Sequence, residues 1–584
     1  METGKPIDCL LKNYKKETIL APLFKLLEAS FELMIPLVVA AIVDKGIGQG
    51  DLSYVYKMGG MMILLGIVGL IAAVIAQYFS AKAAVGVATK LRQSLFGHIQ
   101  SLSYTEVDTV GTSTLITRLT SDVNQVQSGV NMTLRLLLRS PFIVFGAMIM
   151  AFTVDVKAAL VFVGVIPLLC IVVFGIMLLT MPMYQQVQKH LDKVLALTRE
   201  NLRGIRVIRA FHKEKEEIEK FKKENESLTG MQLMVGKISA LMNPVTYVIV
   251  NLGLVVLIYL GAMQVDAGHL SQGQVIALIN YISQILIELI KMANLIVLIT
   301  KALSSAKRIN SVFDVKSSMV EEGTEDIAED QETPILEFEN VSFCYANAGE
   351  ESLSEIDFAV YKGETVGIIG GTGSGKSTLV NLIPRFYDAT KGMVRFHGKP
   401  IEQYSLETLR QRIGVVPQKA VLFKGTIKSN LCWGKKDASE EEMKEALLAA
   451  QALGFVEKRD QALDAPVAQG GKNFSGGQRQ RLTVARALVR KPEILILDDS
   501  TSALDYVTDA RLRRELKARK DTMTTFIVSQ RTSSIQFADK IVVLEDGKMV
   551  GLGTHKYLLD HCEVYQEIYA SQYQSQEEEE EAYE

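Results

Sequence analysis

Nine consecutive residues carry the strongest chemical signal in the chain: Gly370, Gly371, Thr372, Gly373, Ser374, Gly375, Lys376, Ser377 and Thr378. They fit the spacing G-x-x-x-x-G-K-[ST], with an apolar run at 365–369 before them and another at 379–383 after them. This context predicts a strand, a glycine turn and a helix. Glycine permits positive φ, so the backbone N–H groups can close around phosphate oxygens while the helix start adds its positive end. In such a loop Lys376 reaches the β- and γ-phosphates of a nucleotide and Ser377 ligates Mg²⁺. The alternative is a glycine-rich βα turn with a chance lysine.

Two further stretches bear on the same chemistry. Ile494 to Leu497 read as a buried strand running into Asp498 and Asp499, two acids at the C-terminal edge of a parallel sheet, where Asp498 takes the Mg²⁺ role. Ser475, Gly476, Gly477 and Gln478 precede the helical stretch 479–489. They form a second glycine turn at a helix N-terminus and so a second anion-binding device.

A chain of 584 residues exceeds one hydrophobic core, so two or more domains are expected. Its 48% hydrophobic content and mean hydropathy of +0.18 are high, and the excess lies before about residue 310. That part predicts six membrane-spanning helices, at Ile19–Val43, Met58–Ala81, Leu134–Val154, Ala158–Pro182, Ile238–Val265 and Gly273–Thr300. The connections 46–54, 153–157 and 266–272 are short and poor in Lys and Arg, whereas 82–133 and 183–237 are long and basic. The positive-inside rule puts the long connections and both termini in the cytoplasm. Their helical periodicity reads as membrane helices continuing into the cytoplasm, reversing near 106–112 and 203–212. Lysines ahead of the first span, which is too long for a signal peptide, read as a retained anchor. A formal net charge of −3 argues against a nucleic-acid partner. Five dispersed cysteines predict neither a disulfide nor a zinc site.

Charges within the spans form stripes. On the sixth, Asn280, Gln284, Glu288, Lys291 and Asn294 share one face, and on the first so do Lys25, Glu28 and Glu32. Such groups face a water-filled cavity or pair between helices. The sixth stripe is expected to line a substrate cavity; for the first, both readings stand. An acidic linker, 316–333, then separates the membrane domain (1–315) from an alternation of short β-rich runs and helices (334–573), which predicts an α/β nucleotide-binding domain. The glutamate-rich tail 574–584 is expected to be disordered.

A six-helix membrane domain followed by these motifs resembles a half-transporter of the ATP-binding cassette exporter superfamily, over nearly the whole chain. On that resemblance, Gly370 to Thr378 match the Walker A loop and Asp498 the Walker B aspartate. Gln418 matches the Q-loop glutamine, a further Mg²⁺ ligand, Ser475 to Gln478 match the signature, and Ser502 to Asp505 match the D-loop. Tyr345 sits where the family stacks adenine. The resemblance implies ATP and Mg²⁺ as ligands and a dimer in which each ATP lies between one chain's Walker A and the other's signature.

Three departures stand out. Asp499 occupies the place of the family's general-base glutamate, Gln530 that of its switch histidine, and Gln469 that of an acidic residue ahead of the signature. A positioned base contributes about 10²- to 10⁴-fold in rate, so this site is expected to bind ATP and hydrolyse it slowly. The pattern is similar to the degenerate subunit of a heterodimeric multidrug-type exporter whose partner supplies the intact glutamate and histidine. The expected function is ATP-driven export of small amphipathic molecules, drug-like compounds or lipids, by alternating access. The expected location is a bacterial plasma membrane, in contact with its lipids and with the ATPase domain in the cytoplasm. An ATP-gated channel or regulatory membrane protein, or a homodimeric lipid or peptide exporter, are the alternatives.

Overall fold

The structure, a computed structural model, describes residues 13–319, 333–346, 348–500 and 504–572. Cys9, the acidic run 321–330, Ser502 and the tail 574–584 lie outside the described residues. The chain divides into two compact units: Met1–Gln100 with Ser113–Val315, and Ser101–Thr112 with Lys316–Glu584. The twelve residues 101–112, which the sequence assigns to the membrane domain, therefore group with the nucleotide-binding fold.

The first unit holds six helices long and apolar enough to cross a membrane: α1 (Lys15–Ile47), α2 (Leu52–Ser101), α4 (Thr112–Val154), α5 (Val156–Arg203), α7 (Glu214–Asp266) and α8 (Gln272–Phe313). Between them, the short helices α3 (Tyr104–Val110) and α6 (Ile205–Ala210) stand where the chain was expected to reverse. At 1.5 Å per residue the 50-residue α2 is about 75 Å long, far more than a hydrocarbon core of about 30 Å. The long basic connections are thus helix rather than loop.

Helix α8 holds this unit together. Leu278, Tyr281, Ile282 and Ile285 on it are fully buried, and the Tyr281 hydroxyl donates to the Leu33 carbonyl of α1 at 2.8 Å. It also packs tightly on α4, where a Cβ at Gly129 would come within 2.2 Å of the Ala302 side chain. Only glycine at 129 leaves room for the two helices to approach this closely.

The charge stripe of α8 divides differently from expectation. Glu288, only 2% exposed, accepts from Arg139 Nη1 at 2.7 Å, Lys291 Nζ at 2.8 Å and Ser140 Oγ at 2.8 Å. Arg139 also donates to Glu32 at 2.6 Å, and Lys25 bonds Glu28 at 2.5 Å. Glu28, Glu32, Glu288 and Lys291 therefore belong to a cluster of three carboxylates and three cations joining α1, α4 and α8, and Glu288 is not a free cavity lining. The reason lies on α4: beside the same-helix lysines, Arg139 adds a cation shared by Glu32 and Glu288 that no single-helix stripe shows. Asn294 instead lines a cavity of about 740 Å³ with Met177, Met181, Gln185 and Lys301. Its wall is mixed, apolar and polar.

Among the described residues of the second unit, twelve strands form: β1 (Leu336–Phe343), β2 (Leu353–Val360), β3 (Thr365–Gly370), β4 (Lys391–Phe396), β5 (Lys399–Pro400), β6 (Ile413–Val416), β7 (Gly425–Thr426), β8 (Pro466–Val467), β9 (Ile494–Asp498), β10 (Thr524–Val528), β11 (Lys540–Glu545) and β12 (Lys548–Gly553). The main sheet has the order β5-β4-β1-β2-β12-β11-β3-β10-β9-β6. Its centre, β11-β3-β10-β9-β6, is parallel. Strands β3, β9 and β10 are buried almost throughout, which is why they read as unbroken apolar runs rather than alternations. The antiparallel portion, β5-β4-β1-β2, and strand β12 alternate or are short.

Glu493, just before β9, accepts from His397 at 2.9 Å and pairs with Arg412, tying the ends of β4 and β6 to the central sheet. Burial pushes its carboxyl up, but the hydrogen bonds from His397 and Arg412 outweigh it and hold the group below the usual carboxylate range. A depressed folded-state pKa gives stability that is present above the unfolded carboxyl pKa of about 4.3 and lost as pH falls through the folded value. Stability of the detergent-solubilised chain against unfolding, followed at its single tryptophan, Trp433, is expected to fall as pH drops below about 5. Glu493→Gln is expected to flatten that loss and to cost about 1.5–3 kcal/mol at neutral pH. A variant with the parent's acid profile would remove Glu493 from the account.

Candidate nucleotide site

The turn after β3 is shaped by glycine. Gly373 and Gly375 have φ of 86° and 93°, values an L side chain rarely adopts. A Cβ at Gly370 would come within 2.1 Å of the Leu544 carbonyl oxygen, and one at Gly375 within 2.7 Å of that of Ser352. The loop is thus drawn against β11 and β2, and the helix Lys376–Leu382 starts directly from it.

Lys376 is buried, and its Nζ donates to the carbonyls of Gly370 at 2.9 Å and Gly371 at 2.5 Å, and reaches Ser374 Oγ at 3.4 Å. These acceptors are neutral. Burial lowers the pKa of the ammonium, with Asp499 and Asp498 acting the other way. A buried ammonium held only by neutral carbonyl and hydroxyl oxygens gains by exchanging them for an anion, so the loop fits a phosphate. Ser377 Oγ donates to Asp498 Oδ1 at 3.0 Å. Burial pushes Asp498 above the usual carboxylate range, the Ser377 bond opposes it, and the neighbouring Asp499 adds to it. Two acids beside one ammonium suit a small divalent cation with oxygen ligands, and Mg²⁺ would be held by Ser377 and Asp498. Gln418 Nε2 donates to Asp499 Oδ2 at 3.3 Å, which brings the glutamine to the same edge.

Around these groups lies a pocket of about 800 Å³, lined by Tyr345, Thr372, Gly373, Gly375, Lys376, Ser377, Thr378, Gln418, Asp498, Asp499 and Gln530. Residues far apart in sequence meet there because β3, β9 and β10 are neighbours and all end at one edge. Tyr345 reaches the loop directly, its hydroxyl 3.1 Å from Thr378 Oγ1. Asp499 has a left-handed φ of 43°, and its N–H donates to the Val528 carbonyl at 3.0 Å, so the chain turns sharply as it leaves β9. Gln530 is anchored through its backbone, its carbonyl accepting from Gln572 Nε2 at 2.7 Å.

Other expected residues stand apart from this pocket. Ser475 and Gln478 form a reciprocal cap on the helix Gly476–Leu488: Ser475 Oγ accepts from the Gln478 N–H at 3.3 Å and Gln478 Oε1 from the Ser475 N–H at 3.2 Å. Asp505 caps the helix Tyr506–Lys517 by accepting from Thr508 N at 2.9 Å. Within one chain neither reaches Lys376's pocket. Sequence reasoning missed Ser352, Asp546 and Gly547, which line it. Asp546 and Gly547 have φ of 44° and 78° and form the two-residue turn between β11 and β12. An Asp-Gly pair after an apolar strand is a hairpin signal that could have found them.

The family model described as the ABC transporter transmembrane region matches residues 18–289, and the one described as ABC transporter matches 353–502. Over 563 residues the chain is 37% identical to an uncharacterized ABC transporter ATP-binding protein, YfiB, of Bacillus subtilis (strain 168), covering 96% of this chain and 97% of that one. It is 32% identical over 515 residues to the ATP-dependent lipid A-core flippase of Hahella chejuensis (strain KCTC 2396), covering 88% of each. Among solved structures, a bacterial Atm1-family ABC exporter with ATP bound superposes with a TM-score of 0.76 at 23% identity, over 96% of this chain and 98% of that one.

Proposed function

Since this chain belongs to the ABC transporters, with the membrane region and ATP-binding region joined in the half-transporter order of their exporters, we propose that it exports amphipathic small molecules, drug-like compounds or lipids, as one half of a heterodimer whose own ATP site hydrolyses weakly. The observation that carries this reading is Asp499 at the edge of the Lys376 pocket, with Gln530 as its neighbour.

Each residue has a stated task. Lys376 and the N–H groups of the glycine turn grip the β- and γ-phosphates, Tyr345 stacks on the base, and Ser377, Asp498 and Gln418 would hold Mg²⁺. Bound there, the ion neutralises charge on the phosphate oxygens. Asp499 is one methylene, about 1.5 Å, shorter than glutamate, which withdraws its carboxylate from a water placed for in-line attack. Gln530 cannot carry a proton near neutral pH. The pocket therefore clamps nucleotide more than it turns it over. Ser475 to Gln478 and Asp505, absent from this chain's own pocket, are placed at the partner's ATP. Lipid flippases at 32–33% identity support the amphipathic substrate class.

Purified alone, the chain is expected to bind Mg-ATP and release phosphate slowly. Co-purified with a half-transporter that carries the intact glutamate and histidine, it is expected to turn over roughly 10²-fold faster or more. Fast, vanadate-sensitive hydrolysis by the chain as a homodimer would overturn the heterodimer reading.

A further inference from the structure

The segment that follows β10 owes its place to a side chain some forty residues further along the chain. Val528 is paired with Ile368 on β3 and with Asp498 on β9, so Gln530, two residues on, leaves the sheet between the glycine turn and Asp499. Its side chain is exposed and lines the pocket shared with Lys376, Ser377 and Asp499. Its carbonyl accepts from Gln572 Nε2 at 2.7 Å. The same amide turns its oxygen to Thr532, where Oε1 accepts from the N–H at 2.9 Å and from the hydroxyl at 3.0 Å. One side chain thus bridges both neighbours of Arg531.

The chemistry of these partners leaves the amide one orientation. A carbonyl only accepts and an N–H only donates, so Nε2 must face Gln530 and Oε1 must face Thr532. Glutamate could not donate to the first, and lysine could not accept from the second. Thr532 is 0% exposed and opens a 3₁₀ turn, Thr532–Ser534, that has no side-chain cap at its preceding residue, so Gln572 supplies an acceptor that its buried N–H needs. Arg513 Nη1 donates to the Ser533 carbonyl at 2.8 Å and steadies the far side of that turn, three residues past Gln530.

Gln572 itself stands on a fixed base. Residues 563–572 are helical, and the spacing of Tyr565, Ile568 and Gln572 puts all three on one face. Tyr565 is fully buried with its hydroxyl 2.7 Å from His555 Nδ1, and Ile568 packs on the same apolar core. The amide one turn beyond Ile568 is therefore held by packing before it meets the segment it bridges.

We propose that Gln572 is a positioning residue that fixes the backbone from which the Gln530 side chain meets the terminal phosphate, and so sets the site's preference for ATP over ADP. This rests on the reading of Gln530 as standing at the γ-phosphate.

Affinities of the full chain in detergent for Mg-ATP and Mg-ADP, measured by displacement of a fluorescent nucleotide, test the proposal. Gln572→Ala is expected to lower the ratio of ATP to ADP affinity roughly fivefold, with ADP binding kept within about twofold. Loss of folded protein alone would leave that ratio unmoved. Gln572→Glu keeps the acceptor for Thr532 and loses the donor to Gln530, and is expected to lower the ratio as far. Gln530→Ala is expected to do the same, and adding Gln572→Ala to it is expected to change the ratio no further, because both act through one side chain. A wild-type ratio in Gln572→Ala or Gln572→Glu, or additive effects in the double variant, overturns the proposal while leaving Gln530 at the γ-phosphate. A wild-type ratio in Gln530→Ala would instead overturn the reading of Gln530, and the proposal with it.

Discussion

Asp499→Glu combined with Gln530→His is expected to raise ATP turnover of the reconstituted chain by roughly 10²- to 10⁴-fold, with little change in ATP affinity. Affinity is set by Lys376, Ser377 and the glycine turn, none of which the two substitutions touch. Turnover depends on a carboxylate that reaches the attacking water, and Glu at 499 restores the missing methylene. Asp499 also sits at φ 43°, a conformation that Asp tolerates better than Glu. The variant is therefore expected to lose up to about 1 kcal/mol of stability while gaining activity. Phosphate release measured beside fluorescent-nucleotide binding checks both parts. A double variant that binds ATP normally and remains slow would show that Asp499 is not what limits the site.

Arg139→Ala is expected to destabilise the membrane unit by about 3–5 kcal/mol. Its guanidinium is 7% exposed and forks between Glu288 and Glu32, and without it three carboxylates face two lysines in a low-dielectric interior. Arg139→Lys is expected to recover only part of this, since an ammonium cannot span both acids in one plane. Arg139→Met with Glu288→Met is expected to restore most of the stability, because removing both members of a buried pair leaves no uncompensated charge. Thermal unfolding in detergent, arranged as a double-mutant cycle, measures these effects. An Arg139→Ala protein within about 0.5 kcal/mol of wild type would mean that the cluster is solvated and has no structural weight.

Much of this protein is written in local patterns. Six apolar segments, two reversals and the central strands β3, β6, β9, β10 and β11 are readable because each depends only on residues near one another in sequence. A helix must bury backbone polarity within itself in lipid, and a central parallel strand must be apolar on both faces. Lys376, Ser377 and Asp498 are legible for the same reason: a phosphate loop is a local turn whose glycine spacing is its mechanism. The hairpin Asp546-Gly547 carries a local signal too, but its place at the nucleotide comes from β11 lying beside β3, which no short stretch states.

The glycine turn at 370–378, the six helices long and apolar enough to span a membrane and the identities of Asp499 and Gln530 follow from the sequence by itself. Only the tertiary structure decided where the charges go. Read along α8 alone, Glu288 looked like a cavity wall; in the fold Arg139 of α4 and Ser140 beside it neutralise and satisfy it. Likewise residues 101–112 read as part of a membrane helix pair, yet Tyr104 and Asp108 pack on Tyr387 and Phe386, almost 280 residues away. A charge or a ring has no partner until distant segments meet, and the energy of burying it depends on that partner far more than on its neighbours in sequence.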